Sequence, residues 1–321
     1  MASDRNILDR KVDVSIVMGV YNGAQYLCES VESILSQEGV NFEFIIVDDG
    51  SADESGEILR KYAKKDSRIR LIQQENQGLT RALIRGCSEA AGEFIARQDC
   101  GDISFPGRLA KQLSYFKLHP NVVLLSCWSE AVGPDGEILF AIKRNEPPRE
   151  SSRLLNADNL GVLRNLPNHP TAMFPRMLYE RAGGYRWQFY YAQDLDLWRR
   201  LTTYGEFHIV QEILYRYRVL PASVSGCMRK EQIKLTKIIL QLGRDRETDS
   251  RLLARASNIR PVRTPKWTRL RLAKGNYFIG RVLNGRPGNV SKKYFLRAVQ
   301  FNPFLFRAWC FLFINNLKRV K

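Results

Sequence analysis

Four short apolar runs alternate with three helical patterns over about the first hundred residues, and this alternation restricts the fold more than any other feature. Each run is rich in β-branched residues and is followed by turn-forming residues, which is typical of strands. Apolar residues recur at helical spacing between the runs. Strands are predicted at Val14–Val20, Phe42–Val47, Ile69–Gln73 and Glu93–Arg97. Repeated strand–helix–strand units predict right-handed crossovers and a doubly wound, mainly parallel α/β sheet.

Polar residues follow each of the predicted strands. They are Tyr21 and Asn22, Asp48 and Asp49, Asn76 and Gly78, and Asp99 and Asp102. The carboxyl ends of parallel strands meet at one edge of a sheet, and ligands of such sheets bind there. We therefore expect these residues to line one ligand site.

The remainder of the chain is less regular. Its elements are predicted as a helix at about Pro106–Leu118, a strand at Val122–Cys127, a hairpin turn at Gly133–Gly136 and a strand at Ile138–Ile142. From Met228 onward the pattern is helical, with a Pro- and Arg-rich linker at about Ile259–Trp267. We predict two domains, a sheet-containing domain at residues 1–225 and a basic helical region at residues 226–321.

The positive charge of the chain is confined to the predicted helical region. The net charge is +17, yet residues 226–321 hold 23 Lys and Arg against 4 Asp and Glu, whereas residues 1–225 hold 27 against 29. Aromatic residues such as Trp267, Phe304 and Trp309 are interleaved with the basic ones. This combination is typical of helices on anionic membrane surfaces. A solvated face and nucleic-acid binding are the alternatives, and we expect no nucleic acid because no recognition motif accompanies the charge.

Composition excludes several classes of protein. With 44% apolar and 26% charged residues, the chain is neither disordered nor collagen-like. Its six cysteines form no CxxC pair and show no spacing of a zinc site. No run of about 18 uncharged apolar residues occurs, so no spanning helix is expected. We expect a cytoplasmic protein, peripheral on the inner face of the membrane.

Seven segments, in order, resemble the successive motifs of family 2 glycosyltransferases. They are VSIVMGVYNGAQYLCESVESILSQ, FEFIIVDDGSADES, NQGLTRAL, AAGEFIARQDCGDISFPGRLAKQ, NHPTAMF, ERAGGYR and AQDLDLWRRL, and together they cover about residues 12–225. One match such as DDGS is weak, whereas seven ordered matches are specific. The resemblance implies a Rossmann-like GT-A fold and inverting transfer of a sugar from a nucleotide-sugar, with a UDP-sugar as the expected donor, to a glycan, lipid-linked or polysaccharide acceptor.

The resemblance also implies a donor site. In it, Asp48 and Asp49 accept hydrogen bonds from the nucleobase and ribose, the segment Val20, Tyr21 and Asn22 forms the opposite wall, and Gly78 belongs to the same site. Two adjacent acids directly after a buried strand repel each other, which favours a binding role. A turn or a helix cap is the alternative for one of them.

The resemblance places Asp99 as the first acid of the family's metal- and diphosphate-binding motif, but the chain departs from that motif. Gly101 stands where the family commonly has an acid, and Leu220 stands where it often has a histidine. Binding of Mn²⁺ or Mg²⁺ therefore rests on Asp99 and Asp102 and stays open. Arg216 and Arg218 are expected to neutralise the diphosphate instead, with a solvated basic strand as the alternative.

Asp194 in Gln193-Asp194-Leu195 resembles the family's catalytic base. A carboxylate there would take the proton from the attacking acceptor hydroxyl, and a helix cap is the alternative. His169 matches a family position, but a structural histidine is expected. A second function of a different class is a non-catalytic, nucleotide- or membrane-binding scaffold, which the changes at Gly101 and Leu220 leave open.

Overall fold

Nine strands form one mixed sheet in the part of the chain that the structure describes. The structure is a computed structural model and describes residues 11–159, 167–221, 229–243, 245–260, 265–285 and 290–317. The N-terminal elements are β1 (Val14–Val20), α1 (Ala24–Leu35), β2 (Phe42–Asp48), α2 (Ser55–Lys65), β3 (Ile69–Gln73), α3 (Leu79–Ser88) and β4 (Phe94–Asp99). The predicted alternation is confirmed, because these four strands are parallel neighbours in the order β3-β2-β1-β4.

The carboxyl ends of the four parallel strands lie in register. Val20, the last residue of β1, is opposite Asp48 in β2, and Asp48 is opposite Gln73 at the end of β3. On the other side of β1, Gly19 is opposite Asp99 at the end of β4. This register brings the polar residues that follow the strands to one rim of the sheet.

An antiparallel extension completes the sheet. Its elements are β5 (Ile103–Ser104), α4 (Arg108–Leu118), β6 (Val122–Val132), β7 (Ile138–Ile142), α5 (Pro148–Leu155), a 3₁₀ turn (His169–Thr171), β8 (Met173–Pro175), α6 (Arg176–Arg181), α7 (Gln193–Leu201) and β9 (Glu206–Arg218). The order continues as β4-β8-β6-β9-β5, with β7 paired to β6. β8 is antiparallel to both β4 and β6, so the sheet changes direction between β4 and β8.

Helices cover both faces of the parallel strands. On one face, Ile16 of β1 belongs to a core that contains Leu27 of α1 and Leu59 of α2. On the opposite face, Val17 lies against Gly86 of α3. Each fully buried aliphatic side chain stabilises the fold by about 1.5–3 kcal/mol relative to exposure. The two-sided core therefore fixes the strands whose ends carry the polar residues, and the predicted doubly wound arrangement is confirmed.

The hairpin after α4 follows the predicted turn but has a longer first strand. The Gly136 N–H donates to the Gly133 carbonyl over 3.1 Å, which closes the turn. β6 runs to Val132 rather than ending at Cys127. Buried serines interrupt its apolar pattern, and one of them, Ser126, places its Oγ 2.6 Å from the Thr171 hydroxyl. Beyond Cys127, Ala131 is buried and packs with Leu139 of β7 in one core, so the strand continues as one side of the hairpin.

The C-terminal part of the chain is helical, as predicted. Its helices are Arg229–Ile239, Arg246–Ser257, Pro265–Leu283, Val290–Phe301 and Phe306–Leu317. No helix in the described ranges has the length and apolarity that crossing a membrane requires. The predicted domain boundary after Ser225 lies outside the described residues. The predicted linker is partly helical, because a helix begins at Pro265, the position in a first turn that proline suits.

The chain divides into two compact units, and the second joins the hairpin to the last three helices. It contains Glu130–Ile142, Tyr217–Lys234 and the residues from Arg260 onward. One of its cores combines Ala131 and Leu139 of the hairpin with Ile279, Leu283 and Tyr294. The Asp135 carboxylate in the hairpin turn accepts from Lys293 Nζ over 2.7 Å. Apolar packing and this ion pair together attach the hairpin to the helices.

Candidate functional site

The loops after β1 and β2 are tied together by backbone and side-chain hydrogen bonds. The Asn22 N–H donates to Ser51 Oγ over 3.0 Å, and Asn22 Oδ1 accepts from the Ala52 N–H over 2.8 Å. The Asp49 N–H donates to the Val20 carbonyl over 2.8 Å. These bonds hold Val20, Asn22 and Asp49 beside one another. The Tyr21 side chain between them is 46% exposed at the rim.

Asp48 is buried at the end of β2, where its carboxylate accepts two hydrogen bonds from the protein. Oδ1 accepts from the Ser51 N–H over 3.0 Å, and Oδ2 accepts from Gln73 Nε2 over 3.2 Å. Asp48 therefore stabilises the turn after β2, which is the alternative role considered for one of the two acids. Each carboxylate oxygen carries two acceptor sites, so a ligand donor can still be accepted.

Asp49 connects the β2 loop to the start of α3. Its Oδ1 accepts from Gln74 Nε2 over 2.7 Å and from the Gln77 N–H over 2.9 Å. Its Oδ2 accepts from the Gly78 N–H over 2.8 Å. Gly78 has a positive φ of 89°, and a Cβ there would lie 2.6 Å from Tyr190 Cε2. Only glycine fits at this position, and Asp49 holds it in place.

Asp99, at the end of β4, is paired with a wholly buried arginine. Its Oδ1 lies 2.7 Å from Arg97 Nη2, and its side chain remains 34% exposed. Arg97 Nη1 also donates to the Val17 carbonyl, and its Nε lies 3.3 Å from His169 Nε2. Burial and the Arg97 charge hold the pKa of His169 well below its usual range. His169 is therefore a neutral acceptor for Arg97, which agrees with the structural role expected for it.

The loop after Asp99 is held from two sides. Tyr215 accepts from the Asp99 N–H over 3.2 Å and donates to Asp102 Oδ2 over 3.0 Å. Gly101 has a φ of +96°, and its N–H donates to Ser30 Oγ over 2.8 Å. An aspartate at the Gly101 position, as in the family's motif, would have to adopt this left-handed backbone conformation.

The described residues do not form a metal-binding set of their own. No group of three or more His, Cys, Asp or Glu side chains that could hold an ion occurs among them. Asp102 is buried and accepts from Tyr215. Burial raises the pKa of the Cys100 thiol to about 12, so it offers no thiolate at neutral pH. Asp99 is thus the exposed carboxylate that this loop presents to a ligand.

The two arginines expected to face the diphosphate have different surroundings. Arg216 pairs in the β5–β9 ladder with Ile103, the residue that directly follows Asp102. The Arg216 guanidinium lies 5.1 Å from the centre of the Phe105 ring. Arg218 Nη1 instead donates to the Pro134 carbonyl in the hairpin turn over 3.3 Å. The structure pairs the backbone of Arg216 with the residue after the Asp99–Asp102 loop, places its guanidinium against Phe105, and engages Arg218 with the hairpin.

Asp194 lies in the first turn of α7, and its Oδ1 accepts from the Leu195 N–H over 2.9 Å. Burial raises the pKa of Asp194, the bond from the Leu195 N–H opposes this effect, and the charges of Asp99 and Arg97 raise and lower the pKa to a smaller extent. Ala192, directly before the helix, has a φ of +58°. Among the described residues only Ala192 and Asn22 are non-glycine residues with positive φ. Strain of this kind concentrates at functional sites.

A buried ion pair fixes the glycine loop that precedes α7. Asp196 Oδ2 lies 2.6 Å from Arg200 Nη2, and the same nitrogen donates to the Gly184 carbonyl over 2.7 Å. Arg186 Nη1 approaches Asp196 Oδ1 at 3.4 Å. Asp196 therefore braces the loop of the ERAGGYR segment.

The sequence analysis missed Arg97 and Arg108, the two buried arginines behind the site. Arg108, the first residue of α4, donates to the Arg97 carbonyl over 2.9 Å and to Ser104 Oγ over 2.7 Å. Its guanidinium lies 4.8 Å from the centre of the Tyr215 ring. Burial lowers the pKa of Arg108. Arg97 directly follows the apolar residues 94–96 in β4, where a charged residue is rare unless it is partnered, whereas Arg108 lies at a helix start and gives no such signal.

Comparisons with solved structures agree with this fold. TarS 1–349 of S. aureus, solved with UDP-GlcNAc, matches with a TM-score of 0.55 at 15% identity over 95% of this chain and 89% of that one. The mannosyltransferase PcManGT of Pyrobaculum calidifontis, solved with GDP-Man and Mn²⁺, matches with a TM-score of 0.55 at 16% identity over 97% and 88% of the two chains. At these identities the likeness concerns the fold alone.

Comparisons of sequence reach the family. The model of glycosyl transferase family 2 matches residues 15–180. EpsE of Bacillus subtilis (strain 168) is 37% identical over 213 residues, which are 64% of this chain and 72% of EpsE. The uncharacterized glycosyltransferase MJ1057 of Methanocaldococcus jannaschii is 33% identical over 211 residues, 64% of this chain and 70% of that protein. The chain therefore belongs to glycosyl transferase family 2 and is a glycosyltransferase with the GT-A fold.

Proposed function

We infer that the protein transfers a sugar, with inversion at the anomeric carbon, from a nucleotide-sugar to a hydroxyl of a glycan, lipid-linked or polysaccharide acceptor. The observation that carries this proposal is a chain of contacts from β4 to α7. Arg97 pairs with Asp99 at 2.7 Å, its Nε lies 3.3 Å from His169 Nε2, and the His169 ring lies 5.8 Å from the ring of Trp198 in α7. We therefore assign the acid at the end of β4 and the acid at the start of α7 to one site. Asp99 is suited to contact the donor, and Asp194 is suited to accept a proton from the acceptor.

In the proposed reaction, Asp194 is the general base. The acceptor oxygen attacks the anomeric carbon in line with the departing nucleoside diphosphate, so one C–O bond forms as the other breaks. The proton of the acceptor hydroxyl passes to Asp194, and the diphosphate leaves with the bonding electron pair. A carboxylate with a raised pKa is a stronger base than an ordinary one. The bond from the Leu195 N–H orients the carboxylate.

The donor is proposed to bind along the rim formed by Val20, Tyr21, Asn22, Asp48, Asp49 and Gly78. Asp48 and Asp49 would accept from donors on the nucleobase and ribose, because both carboxylates retain acceptor capacity. We place UDP-sugars first among the donors, since TarS was solved with UDP and with UDP-GlcNAc. PcManGT was solved with GDP-Man, so GDP-sugars are the competing donors.

The diphosphate is proposed to be neutralised mainly by protein. Arg216 lies beside the loop that contains Asp99 and Asp102, and a guanidinium pairs well with phosphate oxygens. Arg218 is the second candidate. A divalent ion bound with the donor would be held through Asp99 and would add charge compensation. Because that loop presents one exposed carboxylate, we expect the dependence on Mn²⁺ or Mg²⁺ to be weak.

A calorimetric screen of UDP-, GDP-, dTDP- and CMP-sugars tests donor binding, each with Mn²⁺ and with EDTA. The proposal expects one nucleotide class to bind and to retain most of its affinity in EDTA. Asp99→Ala and Asp49→Ala should weaken that binding. A protein that binds none of these donors would not be a nucleotide-sugar transferase, and tight binding that EDTA abolishes would contradict the weak metal dependence.

The C-terminal region, residues 226–321, is proposed to rest on an anionic membrane surface, with residues 1–225 as the catalytic domain on the cytoplasmic side. Phe304, in the turn before the last helix, is 79% exposed, and Phe306, the first residue of that helix, is 74% exposed. Trp309 is 37% exposed, and its Nε1 donates to the Pro303 carbonyl over 2.9 Å. Exposed aromatic rings in a region with a large positive charge are typical of interfacial helices.

A further inference from the structure

The segment between the glycine loop and Asp194, residues 186–191, is docked on the start of α3. Thr80 Oγ1 donates to the Phe189 carbonyl over 2.8 Å in the protein interior, and Phe189 is fully buried. The Tyr190 ring lies so close to Gly78 that no side chain would fit there. The segment that leads to the proposed base is therefore anchored to the same helix start that Asp49 holds on the donor side.

Within this anchored segment, the Trp187 side chain is 41% exposed. The Arg81 guanidinium, which belongs to the first turn of α3, lies 4.8 Å from the centre of the Trp187 ring. Arg81 lies three residues after Gly78 of the donor rim, and Trp187 lies seven residues before Asp194 in the chain. A partly exposed indole held by a guanidinium combines an apolar surface with hydrogen-bond donors.

We propose that Trp187, with Arg81, forms a subsite for a sugar ring of the acceptor, an inference that rests on the proposed glycosyl transfer. A pyranose presents a face of C–H groups that stacks on an indole, and hydroxyls at its edge that accept from a guanidinium. A lipid chain is disfavoured at this point, because covering Arg81 with hydrocarbon would desolvate its charge. The proposed donor contacts lie on the loops after β1 and β2 and at Gly78, whereas Trp187 lies in the segment that leads to the proposed base, so we assign Trp187 to the acceptor.

This assignment identifies the acceptor as a carbohydrate. It also makes Trp187 a determinant of acceptor specificity that leaves the chemistry to Asp194. The pair Tyr204 and Arg181 offers a matched control, since Tyr204 is 39% exposed and the Arg181 guanidinium lies 4.9 Å from its ring centre. That pair shares the stacking and the exposure with Trp187 and Arg81, but Arg181 ends α6 and Tyr204 follows α7, so both lie outside the anchored segment.

The test measures transfer from UDP-GlcNAc, or from whichever donor the screen selects, to p-nitrophenyl glycosides of glucose, galactose, mannose and GlcNAc. Trp187→Ala should raise the acceptor KM about tenfold or more, the scale of losing a buried aromatic contact. Its donor Kd and its acceptor-independent donor hydrolysis should not change. Trp187→Phe should recover most of the loss, and Tyr204→Ala should behave as wild type. An acceptor KM in Trp187→Ala within twofold of wild type would overturn the subsite.

A binding measurement separates this inference from the proposed function. In ¹⁵N-tryptophan-labelled protein, the indole N–H signal of Trp187, assigned by its loss in Trp187→Phe, should shift on titration with the same glycosides. A shift without any transfer by the wild type would keep the subsite and count against the proposed transfer. Transfer by the wild type with an unmoved Trp187 signal, or neither transfer nor shift, would overturn the subsite.

Discussion

At the scale of single residues, the protonation of Asp194 links the structure to the reaction. Burial raises the pKa of Asp194 in the folded protein above 3.8, the ordinary value that the unfolded chain keeps. At a pH between the unfolded and the folded pKa, the folded protein therefore holds a proton that the unfolded chain has released. The stability of the wild type relative to Asp194→Asn should therefore fall as the pH rises through this window. Melting temperatures of both proteins across pH 3.8 and above check the sign; a gap that widens in favour of the wild type would contradict it.

The same ionisation should control the rate. Asp194 acts as a base only when it has lost its proton, so kcat/KM should rise with pH through the folded-state pKa and then level off. The pKa of this rise should lie above 3.8 because of the burial of Asp194. Initial rates at low acceptor concentration measure it. A flat profile at acidic pH, in a protein that remains folded there, would remove Asp194 from the proton transfer.

Gly101 stands where the family commonly has an acid, and restoring that acid tests its effect on metal binding. Gly101→Asp should increase the dependence of donor binding on Mn²⁺, because it supplies a second carboxylate in the loop that contains Asp99. It should also cost about 1–2 kcal/mol of stability, because its φ is +96°. Space is sufficient, since a Cβ would lie 3.7 Å from Tyr26 Cβ. Gly101→Ala carries the same strain without the carboxylate, so an equal Mn²⁺ response in both variants would contradict the prediction.

Arg216 tests the balance between protein and metal in holding the diphosphate. Arg216→Ala should weaken donor binding more than EDTA does, because it removes a charge beside the Asp99–Asp102 loop. Arg218→Ala should have the smaller effect of the two, since Arg218 donates to the hairpin carbonyl of Pro134. Calorimetric Kd values for the donor measure both. If EDTA weakens donor binding by the wild type more than either substitution does, then a metal ion, and not the arginines, neutralises the diphosphate.

At the scale of elements, the parallel half of the sheet was predictable, and in the antiparallel half the β6–β7 hairpin was predictable but the pairing of β8 and β9 was not. β1 to β4 are apolar runs bounded by turn residues, and β1 with β2 and β2 with β3 are pairs of strands that follow one another in the chain. β8 has three residues and pairs with β4 and β6, which are distant in sequence. No local sequence pattern predicts a pairing between strands so far apart in the chain. β9 carries charged residues along a half-buried strand, so its apolar alternation is weak.

The candidate site shows the same division. Tyr21, Asn22, Asp48, Asp49 and Asp99 follow the strands, so topology alone brings them to one rim. The bonds from Asp49 to the loop before α3 depend on how that loop folds back, and the sequence carries no sign of them. The buried arginines were missed for a related reason. Their partners are carbonyl groups and side chains from several elements, and only the folded chain assembles them.

At the scale of the whole molecule, the basic C-terminal region should determine where the protein resides. Phe304→Ser with Phe306→Ser should abolish sedimentation with anionic liposomes, and about 0.5 M salt should release the wild type, because surface Lys and Arg contribute about 1 kcal/mol each near anionic lipid. Deleting the residues after Phe301 should have the same effect on liposome binding. The point variants are the sharper test, since Ala308 and Leu312 pack with Phe295. Unchanged donor binding by the point variants serves as their folding control. Sedimentation of these variants equal to that of the wild type would contradict the proposed membrane-binding surface.

The most direct test of the account compares transfer with donor binding in Asp194→Asn. The amide keeps the shape of the side chain but cannot take a proton. We predict a donor Kd close to that of the wild type and a single-turnover transfer rate lower by about 100-fold or more. A transfer rate equal to that of the wild type would contradict the central claim that Asp194 is the base of an inverting glycosyl transfer.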